Sequence, residues 1–89
     1  MNTERAHHAI LENRERLLLS GVTETVSFDD RAVILYTVQG ELTVLGRDLQ
    51  LHALNTETGE LEISGRIAAL KYGDRDRKAS ANWMGRLLR

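Results

Sequence analysis

Apolar and polar residues alternate along much of the chain, which is the spacing of β-strands with one buried face. In the segment 22–28, Val22, Val26 and Phe28 fall on one side and polar residues on the other. Residues 32–38 are apolar on both faces and rich in β-branched side chains, which predicts a strand in the middle of a sheet. Residues 10–16 fit neither the helical nor the strand period, and we favour a strand at 14–19.

One stretch occurs twice in the chain. Residues 40–47 (GELTVLGR) return nineteen positions later as residues 59–66 (GELEISGR). Two copies are too few for a solenoid, so they predict two similar hairpin arms within one sheet. The glycines around these strands are expected to form turns or bulges because glycine accepts backbone conformations that other residues avoid. They are Gly21, Gly40, Gly46, Gly59 and Gly65.

These segments predict an all-β, mainly antiparallel fold: a small single-domain meander of six or seven short strands followed by a short C-terminal amphipathic helix. We divide the chain into a flexible N-terminal tail (1–9), a β domain (10–73) and a basic linker with the amphipathic segment (74–89). A chain of 89 residues buries only about 60–65% of the surface that it exposes when unfolded, so its core is small.

The composition argues against several function classes. The net charge is −1, the pI is near 6.3, and aromatic residues make up 4%, which disfavours a nucleic-acid-binding surface. The absence of cysteine excludes disulfides and thiol catalysis. No apolar run has the length of a signal peptide or a membrane span, so we expect a cytosolic protein that could lie at a membrane surface.

The C-terminal segment is the candidate contact to a partner or a membrane. Wound as a helix, it would place Trp83, Met84, Leu87 and Leu88 on one face. Arg86 and Arg89 give it the basic character of helices that lie at membrane surfaces or in partner grooves. The alternative is that the same apolar residues pack back on the sheet and complete its core.

Candidate chemistry is sparse. Arg47 and Arg66 hold equivalent places in the two repeats and are a weak candidate for a shared anion contact. The pair His7-His8 is expected to be solvated rather than to bind a metal. His52 is expected to face outward from the sheet. No phosphate loop, zinc spacing or nucleophile motif is present, so we expect no catalytic, cofactor or metal residues.

An ordered set of short motifs resembles the YabP family of sporulation proteins, which is related to YqfC. The motifs are LENRERL at 11–17, LSGV at 19–22, VSFD at 26–29, the two repeats with Leu49 and Leu54-Asn55 between them, LKY at 70–72 and WMGRLLR at 83–89. The tail departs slightly, because this chain has Trp83, Met84 and Leu88 where members often carry Phe.

The resemblance implies a non-enzymatic protein made in the mother cell of an endospore-forming bacterium and needed to build the spore cortex or coat. Other sporulation proteins would then be its partners. By physical argument rather than from the resemblance, we expect the C-terminal segment to contact a partner, a membrane protein or a membrane surface, with the forespore membrane as one location. Self-association is our own expectation, because the core is small and the sheet edges lack proline. The alternative function is a small β-barrel that binds nucleic acid, and an enzyme using His52 is the third candidate.

Overall fold

The structure, a computed structural model, describes residues 6–73, which form one antiparallel sheet of six strands. The strands are β1 (His8–Glu12), β2 (Arg16–Ser20), β3 (Val22–Phe28), β4 (Ala32–Thr37), β5 (Gly40–Asn55) and β6 (Glu60–Gly73). Their order across the sheet is β1-β2-β6-β5-β4-β3, and every neighbouring pair is antiparallel. The predicted all-β antiparallel fold is confirmed, and the predicted C-terminal helix lies outside the described residues.

The strands from β3 to β6 follow one another as a meander, while the β1–β2 hairpin joins the sheet at its other end. β2 pairs with β6 rather than with β3, although only Gly21 separates β2 from β3 along the chain. The sheet order therefore places β1 and β3 at its two ends.

The two central strands are longer than the sequence pattern indicated. The alternation at residues 49–54 predicts a strand separate from that of residues 40–47, after a turn at 46–48, yet both segments lie within the sixteen residues of β5. Shifts in the β5–β6 register, near Gly46 and between Arg47 and Gln50, bend the pair. A strand can continue through such a bulge, and for this reason the second glycine of each repeat, Gly46 or Gly65, does not end a strand.

The bend divides the sheet into two halves of four strands each. The β2 half consists of β1, β2, residues 60–64 of β6 and residues 50–55 of β5. The β4 half consists of β3, β4, residues 40–45 of β5 and residues 66–73 of β6. Each repeat thus forms an inner strand of one half.

The hydrophobic core joins the two halves. Among residues 6–73, ten hydrophobic side chains are buried: Leu17, Leu19, Val33, Leu35, Leu42, Val44, Leu49, Leu61, Ile63 and Ile67. They form one cluster and come from both halves, so the inner faces of the halves pack on each other. Seven of these side chains are less than 2% exposed, so the inner faces that carry them are fully covered.

Backbone hydrogen bonds reveal that the two halves are built alike. The Gly46 amide donates to the Arg31 carbonyl at 3.0 Å, and the Gly65 amide donates to the Glu15 carbonyl at 3.1 Å. Three residues after Gly46, the Leu49 amide donates to Asp30, and two residues after Gly65, the Ile67 amide donates to Arg14. The spacing between the two donors is one residue longer in β5 than in β6 because β5 has a bulge between Arg47 and Gln50. The repeat in the sequence is therefore an approximate two-fold repeat of the structure.

The N-terminal region differs from the sequence prediction. β1 begins at His8, inside the segment 1–9 that was expected to be a tail, and a tight turn joins it to β2. Asn13 and Arg14 both have positive φ, 56° and 55°, and the Glu15 amide donates to the Glu12 carbonyl. These are the features of a type I′ hairpin turn. The turn was missed because Asn-Arg lacks the glycine that usually marks it.

The predicted inward face of β3 is wrong for two of its three residues. Val22 packs against the core, but Val26 and Phe28 are 46% and 47% exposed. β3 is an end strand whose pairing with β4 has two register shifts, one of them at Val26. Phe28 lies opposite buried Val33, so its exposure reflects the lack of cover at this end of the sheet rather than its orientation. β4, expected in the middle of the sheet, is flanked on both sides and buries alternate residues, but it lies second from the end.

Candidate functional site

The bend of the sheet is held by two glycines whose Cα atoms lie against the opposite backbone. A Cβ at Gly46 would lie 2.1 Å from the Arg66 carbonyl oxygen, and a Cβ at Gly65 would lie 2.5 Å from that of Asp48. Gly65 also has a φ of 130°, which disfavours any residue with a side chain. The other predicted turn glycines lie at strand ends: Gly21 between β2 and β3, Gly40 at the start of β5, and Gly59 before β6.

Arg47 and Arg66 are directly opposite each other at this bend. Residues paired in this way in an antiparallel sheet lie on the same face, with Cβ atoms roughly 4.5–5.5 Å apart. Both residues are exposed. Within residues 6–73, neither arginine forms an ion pair or a side-chain hydrogen bond. The two candidate anion-binding residues are therefore brought together, with no described carboxylate paired to either.

The large exposed hydrophobic side chains of the described residues all lie on strand segments that are hydrogen-bonded on one side only. Ile10 and Leu11 are on β1, and Val26 and Phe28 are on β3. Two further exposed residues lie on segments of the central strands that pair on one side only. Leu54 is in residues 50–55 of β5, and Tyr72 is in residues 69–73 of β6.

β3 is the longer of the two end strands and the less protected. Its sequence, VTETVSF, contains one charged residue, Glu24, and no proline or lysine. Apart from half-buried Val22, all of its residues are exposed. Natural sheets commonly protect their edges with lysine, proline or short strands, because an unpaired edge is a template for another strand. β3 has the length and composition of a strand that can accept a further strand.

A small polar cluster ties the start of the described chain to the end of β6. The His7 Nδ1–H donates to the Ser20 carbonyl at 2.7 Å, so in the neutral ring Nε2 accepts from the Tyr72 hydroxyl at 2.6 Å. The two rings pack edge to face, with centroids 5.6 Å apart. Partial burial raises the pKa of the Tyr72 phenol. Sequence spacing gave no signal for this contact because His7 and Tyr72 are sixty-five residues apart.

His52 lies on the exposed part of β5. Its Nε2 is 3.5 Å from the Ser64 hydroxyl, and Glu62 is its direct neighbour on β6. The Glu62 carboxylate is bound by the Arg16 guanidinium at 3.1 Å rather than by the imidazole. The cluster therefore lacks the ordered contacts by which a carboxylate orients a catalytic histidine toward a hydroxyl nucleophile.

The described part of the chain contains neither a cluster of metal ligands nor a helix that could cross a membrane. Between residues 6 and 73, no three His, Asp or Glu side chains are grouped as metal ligands, and His8 Nδ1 is hydrogen-bonded with the Ser20 hydroxyl. The same residues include no helix of the length and apolarity that crossing a bilayer requires. The predicted contact residues Trp83, Met84, Arg86, Leu87, Leu88 and Arg89 lie outside the described residues.

Comparison with known proteins identifies the family. The model of the YabP family matches residues 3–79, which include both repeats and all six strands. The chain belongs to the YabP family. It is also 40% identical over 68 residues to a protein named Spore protein YabP from Bacillus subtilis (strain 168), an alignment that covers 76% of this chain and 68% of the relative. The resemblance inferred from the sequence is confirmed, and the chain is a YabP-like sporulation protein.

The family match ends before most of the predicted contact segment. Residue 79 is the last one matched, so Trp83 and the residues after it lie beyond the YabP family model. The six-stranded domain is what this chain shares with the family. The edge strands, the arginine pair and the His7–Tyr72 contact all fall within the matched residues.

Proposed function

We propose that this YabP-like protein is a non-catalytic assembly protein of sporulation, acting in the mother cell in the construction of the spore cortex or coat. The observation that supports this role best is the location of its exposed hydrophobic side chains on unpaired strand segments. Those segments offer backbone donors and acceptors together with apolar contact area, which are the requirements for adding a strand from another chain. Membership of a family outside known enzyme classes is consistent with this role.

Self-association through β3 is the first part of the proposal. An antiparallel pairing of β3 with β3 of a second copy would use one surface twice, as a two-fold dimer requires. It would cover Val26 and Phe28, which are each nearly half exposed. A domain of this size also has a limited core of its own, so additional burial between copies would contribute to its stability.

The C-terminal segment supplies the second part of the proposal. Residues 75–89 carry five basic residues against one acidic residue, and they include the only tryptophan of the chain. This composition favours contact with a membrane surface or a partner protein, and the forespore membrane is the location that we propose. The β domain would then assemble while the segment after residue 74 anchors the assembly.

The primary experiment is genetic. We expect deletion of the gene from its source strain to lower the count of heat-resistant spores strongly, and we expect the full-length gene to restore it. A truncated gene ending after residue 78 should yield folded protein without restoring normal spores. Normal heat resistance in the deletion strain would overturn the proposed role.

A second experiment separates the two parts of the proposal. Light scattering of the purified protein should detect a dimer or larger species, and replacement of Val26 and Phe28 by lysine should leave a monomer. Leu54→Lys is the matched control, because Leu54 is equally exposed on a different edge. A monomer at all concentrations, or an unchanged oligomer in the β3 variant, would contradict association through β3.

A further inference from the structure

We propose that Arg47 and Arg66, together with the adjacent Arg14, form a binding site for a phosphate-type oxyanion on the outer face of the bend. This inference does not depend on the sporulation role or on association through β3. It concerns a surface that the edge strands do not include.

The first argument is the arrangement of charge. Like charges directly opposite each other in an antiparallel sheet destabilise it, and exposed arginines usually reduce such repulsion by pairing with a carboxylate. Neither Arg47 nor Arg66 has such a pair within residues 6–73. Two unpaired guanidinium groups on neighbouring strands can instead share one oxyanion, since each presents several N–H donors in a planar array.

The second argument is that a third arginine, Arg14, is hydrogen-bonded to the residue that follows Arg66. Residue 66 has Arg47 as its neighbour on one side and the β1–β2 turn on the other. In that turn, the Arg14 Nε donates to the Ile67 carbonyl at 3.0 Å, and the Arg14 carbonyl accepts from the Ile67 amide at 2.8 Å. The Arg14 side chain is thus tied to the backbone of the residue that follows Arg66.

The third argument is the rigidity of the backbone that carries the pair. Each arginine follows a glycine at which no side chain fits, Gly46 before Arg47 and Gly65 before Arg66. Both glycine amides are also hydrogen-bonded, to the Arg31 and Glu15 carbonyls, so the backbone that carries the two arginines is constrained before any ligand arrives. Preorganisation of this kind lowers the entropy that binding would otherwise lose.

Nearby carboxylates set a limit on affinity and offer a way to test the site. Glu15 and Asp48 line the same open cavity of about 440 Å³ as Arg66 and Gly65. Their negative charges oppose an anion, so we expect binding to be weak in the natural protein. Replacing Glu15 by Gln, or Asp48 by Asn, should tighten it. Asn suits position 48 because it tolerates the positive φ of 54° found there.

The experiment is a titration of the ¹⁵N-labelled full chain with inorganic pyrophosphate, compared with sodium chloride at equal ionic strength. We expect saturable shifts of the amide signals of residues 46–48 and 65–67. Arg47→Gln and Arg66→Gln should each weaken binding by about tenfold or more, as expected for loss of a charge-assisted hydrogen bond. Lys71→Gln removes the same charge from the same strand five residues away and should have little effect.

A second arm distinguishes a soluble phosphate from a lipid headgroup. Vesicles of phosphatidylglycerol and of phosphatidylcholine are sedimented with the natural chain and with the Arg47→Gln/Arg66→Gln variant. A loss of phosphatidylglycerol binding in the variant would assign the site to lipid, while pyrophosphate binding without this loss would assign it to a soluble ligand. The proposal is overturned if neither probe distinguishes the variant from the natural chain, or if Lys71→Gln weakens binding as much.

Folding of the variants has its own control. The double arginine variant removes a repulsion, so without added anion its thermal midpoint should equal or exceed that of the natural protein. Retained folding with lost pyrophosphate response supports the site. A midpoint well below that of the natural chain would assign the arginines a structural role instead and would contradict the proposal.

Discussion

The centre and the ends of the sheet use similar residue types for opposite purposes. At the centre, Ile63 on β6 is fully buried in the core that both halves share, whereas Ile10 on β1 is 53% exposed. Ile63 pairs with buried Leu17 on the inner face, whereas Ile10 pairs with Leu18 on the opposite face of an end strand, so both the face and the place in the sheet distinguish them. The buried core comes from the inner strands β2, β4, β5 and β6, while β1 and β3 contribute none of its buried side chains and carry exposed hydrophobic ones.

The largest effect is expected at the bend that makes this centre possible. Gly46→Ala would place a Cβ 2.1 Å from the Arg66 carbonyl oxygen, and backbone on both strands would have to move. We expect the free energy of unfolding to fall by about 3 kcal/mol or more, or the protein to fail to fold. Urea denaturation measures this, and a loss below about 1 kcal/mol would refute the close approach of the two strands.

Two isoleucine variants compare the centre with an end directly. Ile63→Ala should lower the free energy of unfolding by about 2–5 kcal/mol, since it leaves a cavity in a covered core. Ile10→Ala should change it by less than about 1 kcal/mol, because its side chain is already half in water. Denaturation at low protein concentration, where association contributes least, tests both. Equal losses would remove the distinction between the two regions.

Substitutions on the end strand β3 should alter the association between copies rather than the stability of the domain. Lysine at positions 26 and 28 leaves the core unchanged, because both side chains are exposed in the natural chain. We expect the thermal midpoint of the monomer to shift only slightly, while sedimentation velocity detects the loss of larger species. A strong loss of stability in this variant would mean that β3 belongs to the folded core and not to a contact surface.

The smallest effect concerns the contact between the chain start and the end of β6. Burial raises the pKa of the Tyr72 phenol above its usual value of 10.0, so the unfolded chain releases this proton more readily than the folded one. The contribution to stability is complete below pH 10 and is lost as the pH rises through the folded pKa. Tyr72→Phe should therefore reduce the fall in stability above pH 10. The same slope in both proteins would contradict this.

The sequence was sufficient for the class of fold and for its repeat. Alternation at residues 22–28 and 32–38, together with the recurrence of 40–47 at 59–66, predicted strands that the structure contains. Spacing along one strand carries no information on which other strand pairs with it. For that reason the pairing of β2 with β6 across more than forty residues, and the end position of β3, could not be predicted.

The sequence indicated some of the candidate residues and not others, because spacing along one strand does not show how that strand pairs or whether it is covered. The equivalence of Arg47 and Arg66 was visible in the repeat, but their direct opposition depends on the bulge at Asp48. The exposure of Phe28 was not visible at all, because its place in an alternating pattern is the same in a covered strand and an uncovered one. The family, in contrast, was recognised from the ordered short motifs, and the comparison confirmed it.

The most direct test of a functional β3 edge is the spore count of a strain whose only copy of the gene encodes lysine at positions 26 and 28. We predict a folded protein, present at the natural level, with a strongly reduced count of heat-resistant spores. A strain carrying Leu54→Lys should sporulate normally. Normal heat resistance in the β3 strain, at equal protein level, would contradict the claim that this edge carries the function while the centre carries the stability.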